Sequence, residues 1–182
     1  MAGTQKKMDA IALLKADHRK VEDLFKKFAK AKDARTKQSL ATEICTELSV
    51  HATIEEEIFY PACADEVEDG LRLESYVEHD SAKVLIAELV ASRPGDEFYD
   101  AKMTVLREEI KHHVKEEEKP GEGLFAQARK AGLDMDALGA QLQARKQELL
   151  AAIKSDGLPP PKTRSFTGHK MQQGKPVEQA SA

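Results

Sequence analysis

Proline and glycine are nearly absent from the first 60 residues, a stretch in which Ala, Leu, Glu and Lys dominate. The two missing residues interrupt helices, whereas the dominant residues favour them. The chain also shows no alternation of apolar and polar residues of the kind that a half-buried strand requires. The composition therefore predicts an all-α protein.

Long apolar runs are missing as well. No stretch approaches the roughly 20 apolar residues of a membrane span, and the opening M-A-G-T-Q-K-K lacks the apolar core of a signal peptide. Charged residues of both signs are interspersed and sum to a net charge of −4, so no basic stripe could follow a phosphate backbone. We expect a soluble, cytoplasmic protein that binds neither membrane nor nucleic acid.

Cysteine is scarce, since the chain contains only Cys45 and Cys63. Both fall on one predicted helix, where 18 positions at about 1.5 Å each would hold them roughly 27 Å apart. That separation is too long for a disulfide between them. We expect two reduced structural thiols, as is typical of cytosolic proteins.

The apolar periodicity predicts four long helices joined by the short breaks K-D-A-R, D-E-V-E-D-G and S-R-P-G-D. Connections this short make successive helices antiparallel neighbours, which predicts an up-down-up-down four-helix bundle. The expected helices cover residues 9–30, 34–64, 69–92 and 95–119.

The C-terminal part predicts one more helix and a tail. A short helical piece over residues 124–130 ends before Gly132, and a last helix over 134–154 is expected to pack on the outside of the bundle. From Ser155 onward the sequence is rich in Pro, Gly and polar residues and has no apolar period, which is typical of a flexible tail. We therefore divide the chain into a flexible N-terminus (1–7), a helical domain (8–154) and a disordered or surface-draped tail (155–182).

Polar residues interrupt the apolar stripes of all four long helices. The second helix carries a His and a Glu four positions apart in H-A-T-I-E, and the fourth helix repeats that spacing in H-V-K-E-E. The first and third helices each contribute one His at a helical spacing from apolar neighbours. The inward-facing set is His18, His51, Glu55, His79, His113 and Glu117.

The fourth helix offers a competing pair of residues in the same spacing, His112 and Glu116. That pair would follow Lys102 and Glu109 on a mostly polar side of the helix. We therefore expect His112 to face outward.

A single His on an apolar face is most often an ordinary core residue, but four of them with two carboxylates need another account. Leaving a carboxylate buried and unpaired costs several kcal/mol, and a cation between the two carboxylates compensates that cost. The alternatives are interhelical His–Glu hydrogen bonds, or a register that places some of these groups in water. Imidazole and carboxylate ligands without a thiolate suit iron, manganese or zinc better than calcium or copper(I).

A two-metal site fits the number of ligands best. Two octahedral ions need about twelve donor positions; four imidazoles, two bridging carboxylates and a bridging oxide or hydroxide fill about ten of them. About two positions stay open for O₂, peroxide or another small ligand, and the apolar surroundings limit water. A ferritin-like site would need two E-x-x-H motifs and a zincin site H-E-x-x-H; the sequence contains neither set.

Four motifs together resemble the bacterial hemerythrin-like family with the HHE cation-binding domain. They are L-L-K-A-D-H-R-K-V-E-D-L-F, H-A-T-I-E-E-E-I-F-Y-P, V-E-H-D and H-H-V-K-E-E-E, and the resemblance covers about residues 8–150. It implies that the six inward-facing residues are ligands of a non-haem di-iron centre with an oxo or hydroxo bridge. By the same resemblance, Glu55 and Glu117 bridge the two irons.

Two positions depart from the family pattern. Oxygen-carrying hemerythrins are similar but have a second His four residues after the one on the third helix, where this chain has Lys83. One iron would then lack a ligand, which argues against simple reversible O₂ transport. The stretch K-P-G-E-G-L-F-A after Glu118 also differs from the acidic run into L-F-P of relatives, and it leaves the placement of Glu117 open.

The resemblance implies a di-iron protein that binds O₂, peroxide or NO, in oxygen or redox sensing, storage or protection against oxidative stress. We expect it to be a monomer or a weak homodimer. One alternative is a di-iron enzyme that decomposes hydrogen peroxide or reacts with nitric oxide. Another is a metal-dependent regulatory bundle that acts through its C-terminal tail on a partner.

Overall fold

The computed structural model describes residues 8–179, and these residues are mostly helical, as the composition predicts. The predicted flexible N-terminus, residues 1–7, lies outside the described residues, as do the last three residues of the tail. The helices are α1 (Ala10–Lys30), α2 (Ala34–Ile54), a π-helical segment (Glu55–Phe59), α3 (Tyr60–Ala62), α4 (Asp69–Val90), α5 (Tyr99–Glu117), α6 (Leu124–Lys130) and α7 (Met135–Asp156).

Aspartate side chains define where three of the helices begin. The side chain of Asp9 accepts a hydrogen bond of 2.7 Å from the N–H of Ala12, and Asp33 and Asp134 cap α2 and α7 in the same way. A capping carboxylate satisfies an N–H group that the first helical turn leaves without a partner. The first residue of each of these three helices can therefore be identified from the local sequence.

The long helices pack in pairs, α1 against α2 and α4 against α5, and α2 also contacts α4. Helix α7 crosses α1, α2 and the π-helical segment, which agrees with its predicted place beside the other helices. The crossing is close, because a Cβ at Gly139 would lie 2.4 Å from the carbonyl oxygen of Met8. Among residues 8–179, no helix combines the length and apolarity of a membrane crossing.

Two hydrophobic clusters fill the interior, and the site lies between them. One contains the start of α1, the π-helical segment, α6 and α7, and the other contains the end of α1, α2, α4 and α5. Along α1, Leu14 belongs to the first cluster and Val21 to the second, with His18 between them. His51 on α2 and His79 on α4 lie between residues of the two clusters in the same way.

The predicted continuous helix over residues 34–64 is regular only as far as Ile54. After Ile54 the helix widens, and the N–H of Tyr60 donates to the carbonyl of Glu55, five residues earlier. Pro61 explains the change, because it has no N–H for the carbonyl of Glu57 and its ring would clash with that carbonyl in a regular α-helix. Such π-helical turns are frequent at functional sites.

The tail after α7 is mostly exposed. It contains two short strands of two residues each, β1 (His169–Lys170) and β2 (Glu178–Gln179), which pair antiparallel. The all-α prediction did not include these strands. Before this pair, Arg164 and Ser165 contact α4. The flexibility of the tail stays a prediction.

Candidate metal centre

The structure brings together the six polar residues that the sequence predicts to face inward. All of their side chains are buried, and each comes from a different turn of α1, α2, the π-helical segment, α4 or α5. They are His18, His51, Glu55, His79, His113 and Glu117.

The two carboxylates lie between the imidazoles. Oε2 of Glu55 is 3.2 Å from Nε2 of His51 and 3.3 Å from Nε2 of His79. On the other side, Oε2 of Glu117 is 3.5 Å from Nε2 of His18 and 3.4 Å from Nε2 of His113. Each carboxylate therefore faces two imidazoles from two different helices.

The donor atoms form two overlapping groups, and within each group all atoms lie within 4.8 Å of one another. Glu55 belongs to both groups. The Nε2 atoms of His18 and His51 are 3.0 Å apart in one group, and those of His79 and His113 are 3.2 Å apart in the other. The first group is His18, His51, Glu55 and Glu117, and the second is Glu55, His79 and His113.

Each imidazole turns its second nitrogen, Nδ1, toward a carboxylate on the neighbouring helix. Three of these contacts are hydrogen bonds of 2.8 to 3.0 Å, and the fourth, between Asp17 and His51, is longer at 3.6 Å. Because an ionised carboxylate only accepts, Nδ1 carries the proton in the three hydrogen bonds and Nε2 is available as a ligand atom. The four outer carboxylates are Asp17 facing His51, Glu56 facing His79, Glu78 facing His113 and Glu118 facing His18.

The outer carboxylates form a closed ring around the protein. Asp17 on α1 faces α2, Glu56 after α2 faces α4, Glu78 on α4 faces α5, and Glu118 at the end of α5 faces α1. In sequence, each of them is the immediate neighbour of one of the six inner residues. We call this arrangement the carboxylate ring; its three hydrogen bonds orient His18, His79 and His113, as outer carboxylates do in metal sites, and Asp17 lies 3.6 Å from His51.

The π-helical segment brings a tyrosine to the two inner carboxylates. The hydroxyl of Tyr60 donates to Oε1 of Glu117 at 2.9 Å and lies 3.2 Å from Oε2 of Glu55. The wider turn places Tyr60 on the same side as Glu55, five positions earlier, and its side chain is fully buried. Tyr60 therefore belongs to the site.

The end of α5 is held closely by the segment that follows it. Gly123 approaches so near that a Cβ there would lie 2.5 Å from the carbonyl oxygens of Glu116 and Glu117. Behind it, the Phe125 ring stacks on the imidazole of His18, with centroids 5.8 Å apart and planes at 11°. The K-P-G-E-G-L-F-A stretch thus packs against the site, and Glu117 is buried.

A cation fits this set of donors. Among residues 8–179, Oε1 of Glu55 and Oε2 of Glu117 are buried carboxylate oxygens that no hydrogen-bond donor meets. Leaving such an oxygen without a partner in the interior is costly, and four Nε2 atoms converge on the same space. One or more metal ions between these atoms would satisfy the oxygens and the imidazoles together.

Comparison with known proteins identifies the family of the chain. Residues 9–120 match the family model of the hemerythrin HHE cation binding domain, and that range holds all six inner residues and the complete carboxylate ring. The chain belongs to this family.

A solved structure and a curated protein are similar to this HHE protein. The crystal structure of a hemerythrin HHE cation binding domain-containing protein from Mycobacterium kansasii, a homolog of Rv2633c, superposes with a TM-score of 0.66 at 20% sequence identity. That match covers 83% of this chain and 95% of the other, and it shows a shared helical fold.

The curated relative is a protein of Nostoc sp. (strain PCC 7120 / SAG 25.82 / UTEX 2576) that carries the name DNA nickase. It is 29% identical over 106 residues, which is 58% of this chain. The match spans only 30% of the Nostoc protein's own length.

The competing histidine of α5 lies at the surface of this HHE domain. His112 is exposed, and its Nε2 lies 3.4 Å from Oε1 of Glu78, whereas His113 beside it is 2% exposed. Glu116 is partly exposed and Glu117 is buried. The side of α5 that faces the site therefore carries His113 and Glu117.

Lys83 occupies the α4 position at which oxygen carriers resembling this chain have a further His, and it does not point its charge at the inner residues. Its Nζ donates to both oxygens of Glu56, at 2.7 and 2.9 Å, and to Oδ1 of Asp80 at 3.0 Å. Lys83 thus supports the carboxylate ring from outside. It supplies no donor to either group of inner atoms.

Burial and neighbouring charges shift the pKa values of the inner residues in opposite directions. Burial acts to lower the pKa of His51, but the Glu55 carboxylate and its neighbours outweigh burial and raise it to about 10. Burial lowers the pKa of His18 to about 4. Burial and the charge of Glu55 raise the pKa of Glu117 to about 8. At neutral pH the metal-free site therefore holds protons on His51 and Glu117, which a cation would displace.

A small cavity adjoins the four histidines. It has a volume of about 20 Å³ and a mainly apolar wall, enough for about one water-sized molecule. Its wall shares His18, Ile110 and Val114 with a surface groove of about 460 Å³ between α1 and α5. The apolar side chains of Ile110 and Val114 thus stand between the groove and the cavity.

Sequence reasoning missed the carboxylate ring, and it left Tyr60 out of the site because a tyrosine at a helix seam is more often a packing residue. A usable signal was present for the ring, because all four outer carboxylates directly precede or follow an inner residue in D-H, E-E, E-H and E-E. Tyr60 had only Pro61 as a signal, because a proline just after a predicted helical turn can widen that turn.

Proposed function

We propose that this HHE protein holds two iron ions between its inner residues and binds O₂ or a related small ligand, as an oxygen or redox sensor, a store or a protective protein. The observation that carries the proposal is the pair of buried, unpartnered carboxylate oxygens among four convergent imidazoles. The ligands would be His18, His51, Glu55, His79, His113 and Glu117, with Glu55 and Glu117 between the two ions.

The donor types and their grouping favour a pair of iron ions. Imidazole and carboxylate donors suit iron, and two overlapping groups that share Glu55 give each ion its own histidines. The proposal includes an up-down-up-down arrangement of α1, α2, α4 and α5, which the pairing of these helices supports. Bound iron would supply redox chemistry and a coordination position for the small ligand.

The residues of the chain would prepare that position. The carboxylate ring would hold Nε2 of His18, His79 and His113 inward. The Tyr60 hydroxyl offers a hydrogen bond next to Glu55 and Glu117. Apolar side chains such as Val21, Leu48 and Ile86 line the adjacent cavity, which keeps water away from a bound small molecule. The cavity volume suits a diatomic ligand better than an organic substrate.

The test is metal binding by the wild type and by two histidine variants. Protein purified without O₂ and supplied with iron(II) should bind about two irons per chain, with new optical bands when O₂ is admitted. His51→Ala should lose both, because His51 contributes Nε2 to the first group. His169→Ala is the control, since His169 is an exposed residue of the tail. Equal iron content and bands in His51→Ala and wild type would contradict the ligand assignment.

A second candidate function is an enzyme that decomposes hydrogen peroxide or reacts with nitric oxide. It is favoured by Lys83, which stands where a further imidazole would coordinate and instead contacts Glu56 and Asp80. The position left open at one ion would admit a reactive small molecule. Sustained O₂ release after peroxide is added to the iron-loaded protein would favour the enzyme, and a single stoichiometric oxidation would favour the binder.

The nickase activity that names the Nostoc relative is not part of the proposal. The matched segment covers only 30% of that protein's length, so the activity of the whole protein does not carry over to this chain.

A further inference from the structure

The tail makes its side-chain-specific contact with the helical domain at the middle of α4. The N–H groups of Arg164 and Ser165 donate to Oδ2 of Asp80 at 2.7 and 2.6 Å, and the Ser165 hydroxyl donates to the same oxygen at 2.8 Å. Asp80 itself is fully buried. A buried carboxylate that takes three hydrogen bonds from an otherwise exposed segment is a specific attachment, because charged acceptors give the stronger hydrogen bonds.

A second contact supports the same attachment. The guanidinium of Arg164 lies over the ring of Tyr76, 4.5 Å from its centroid, in cation–π geometry. Tyr76 in turn meets Tyr60 edge to face, with ring centroids 5.1 Å apart. Because Tyr60 also donates to Glu117, the rings of Tyr76 and Tyr60 connect the tail to an inner carboxylate.

A chain of alternating charges joins the attachment to the metal centre. The other oxygen of Asp80 accepts from Lys83, and Lys83 also donates to both oxygens of Glu56. Glu56 belongs to the carboxylate ring and accepts from Nδ1 of His79 at 3.0 Å. From tail to centre, the order is therefore Ser165, Asp80, Lys83, Glu56 and His79.

We propose that Arg164 and Ser165 form a latch on α4 whose strength depends on the occupancy of the metal centre. The proposal rests on the proposed function, since it needs a cation at Nε2 of His79. It assigns Lys83 a role as the residue that couples the two places. The tail segment released from Asp80 would be the part of the protein that reports the state of the centre.

The direction of the coupling follows from the charges. A cation at Nε2 makes the Nδ1–H of His79 a stronger donor, so His79 takes a larger share of the negative charge of Glu56. Glu56 then holds Lys83 less strongly, and Lys83 neutralises Asp80 more completely. A neutralised Asp80 is a weaker acceptor for the N–H groups of Arg164 and Ser165. Metal binding should therefore loosen the latch, and by linkage an attached tail should weaken metal binding.

The latch is tested first without metal. Trypsin cleaves after Arg164, and that bond is part of the attachment, so the rate of cleavage there reports how often the latch opens. Asp80→Asn leaves the cleaved sequence unchanged and should accelerate cleavage after Arg164 about tenfold or more. Asp69→Asn is the matched control, because Asp69 is an exposed residue of α4.

A second pair of variants keeps the test valid if replacing buried Asp80 disturbs folding. Ser165→Ala removes the hydroxyl from an exposed tail residue and should also accelerate cleavage, whereas Thr167→Ala, also in the exposed tail, should not. Rates for the Ser165 variant are normalised to cleavage of the same bond in the denatured chain. Cleavage after Arg164 that is equally fast in wild type, Asp80→Asn and Ser165→Ala would overturn the latch.

The coupling is tested by adding zinc(II), or iron(II) without O₂, to wild type and to Lys83→Met. Bound metal should accelerate cleavage of the wild type at Arg164 by at least about fivefold. Lys83→Met should bind the same number of ions but show no such change. Metal bound with no effect on cleavage, or an equal effect in Lys83→Met, would overturn the coupling. A chain that binds no metal would contradict the proposed function, while the metal-free comparison still decides whether the latch exists.

Discussion

Replacing Glu118 by Gln should weaken metal binding without disturbing the fold. Oε1 of Glu118 accepts a 2.8 Å hydrogen bond from Nδ1 of His18, and it also meets Arg19 at 2.6 Å. The residue is partly exposed and lies just beyond the end of α5, so the substitution removes a charge and very little packing. The imidazole of His18 then loses the negative partner that orients it and makes its Nε2 a better ligand.

The expected loss can be derived from the hydrogen bond that changes. A bond to a charged acceptor is worth about 1.5–3 kcal/mol and a bond to a neutral acceptor about 0.5–1.5 kcal/mol. The difference of about 1–1.5 kcal/mol corresponds to roughly a fivefold to tenfold loss of affinity. That lies at the lower end of the range of about 10- to 100-fold measured for outer partners of metal ligands.

The assay is competition between the protein and a coloured chelator for zinc(II), repeated with iron(II) in the absence of O₂. Glu116→Gln is the matched control, because Glu116 lies two residues earlier at the end of the same helix and its nearest cation, Lys115, is 3.9 Å away. Thermal unfolding without metal should differ little between the two variants. If Glu118→Gln and Glu116→Gln bind metal equally well, the carboxylate ring does not orient the histidines as argued.

Three further predictions concern protons, packing and thiols. The pKa of His51 is about 10 and that of Glu117 about 8, so metal binding at pH 7 should release about two protons per chain. Titration calorimetry in buffers of different ionisation enthalpy measures the number of protons released. If no proton is released, the assigned protonation is wrong. Gly123→Ala should lower the free energy of unfolding by about 1–3 kcal/mol, because the added Cβ would lie 2.5 Å from two carbonyl oxygens. The measurement is a denaturation series, and Gly70→Ala is the control, because a Cβ at Gly70 would lie 3.9 Å from its nearest atom. Burial raises the pKa of both cysteine thiols to about 12. A thiol reagent at pH 8 should therefore label them only as fast as the protein unfolds. Rapid labelling would show instead that a thiol is accessible in the folded protein.

The helices could be predicted because their signals are local. Apolar spacing, a capping carboxylate such as Asp33 and a stop such as Gly132 act within a few residues of one another. The widened turn at Glu55 could not be read in the same way, since the apolar spacing continues through it. Its cause is Pro61, whose effect on the preceding turn depends on whether the helix ends there or widens and continues.

The six inner residues could be predicted because helical periodicity decides which side of a helix is buried. His113 and His112 are neighbours in sequence, and only the register of α5 separates a buried residue from an exposed one. The members of the carboxylate ring adjoin the inner residues in sequence, but the sequence does not show which histidine each of them contacts, because that histidine lies on another helix. Glu118 and His18 are 100 residues apart, and only the packed structure brings them to 2.8 Å.

The carboxylate ring has a consequence for how the protein is assembled. No single helix and no pair of helices contains all four contacts between outer carboxylates and imidazoles. These contacts join α1 to α2, α2 to α4 and α4 to α5, and the ring is complete only when Glu118 contacts His18. The first two helices bring His18, His51 and Glu55 together, but they lack Glu117 and the Glu118 carboxylate that accepts from His18. Metal uptake should therefore be the last event of maturation. Release of the ion should require the opening of at least one helix, so the residence time of the ion in the protein should measure how cooperatively the helices are held together.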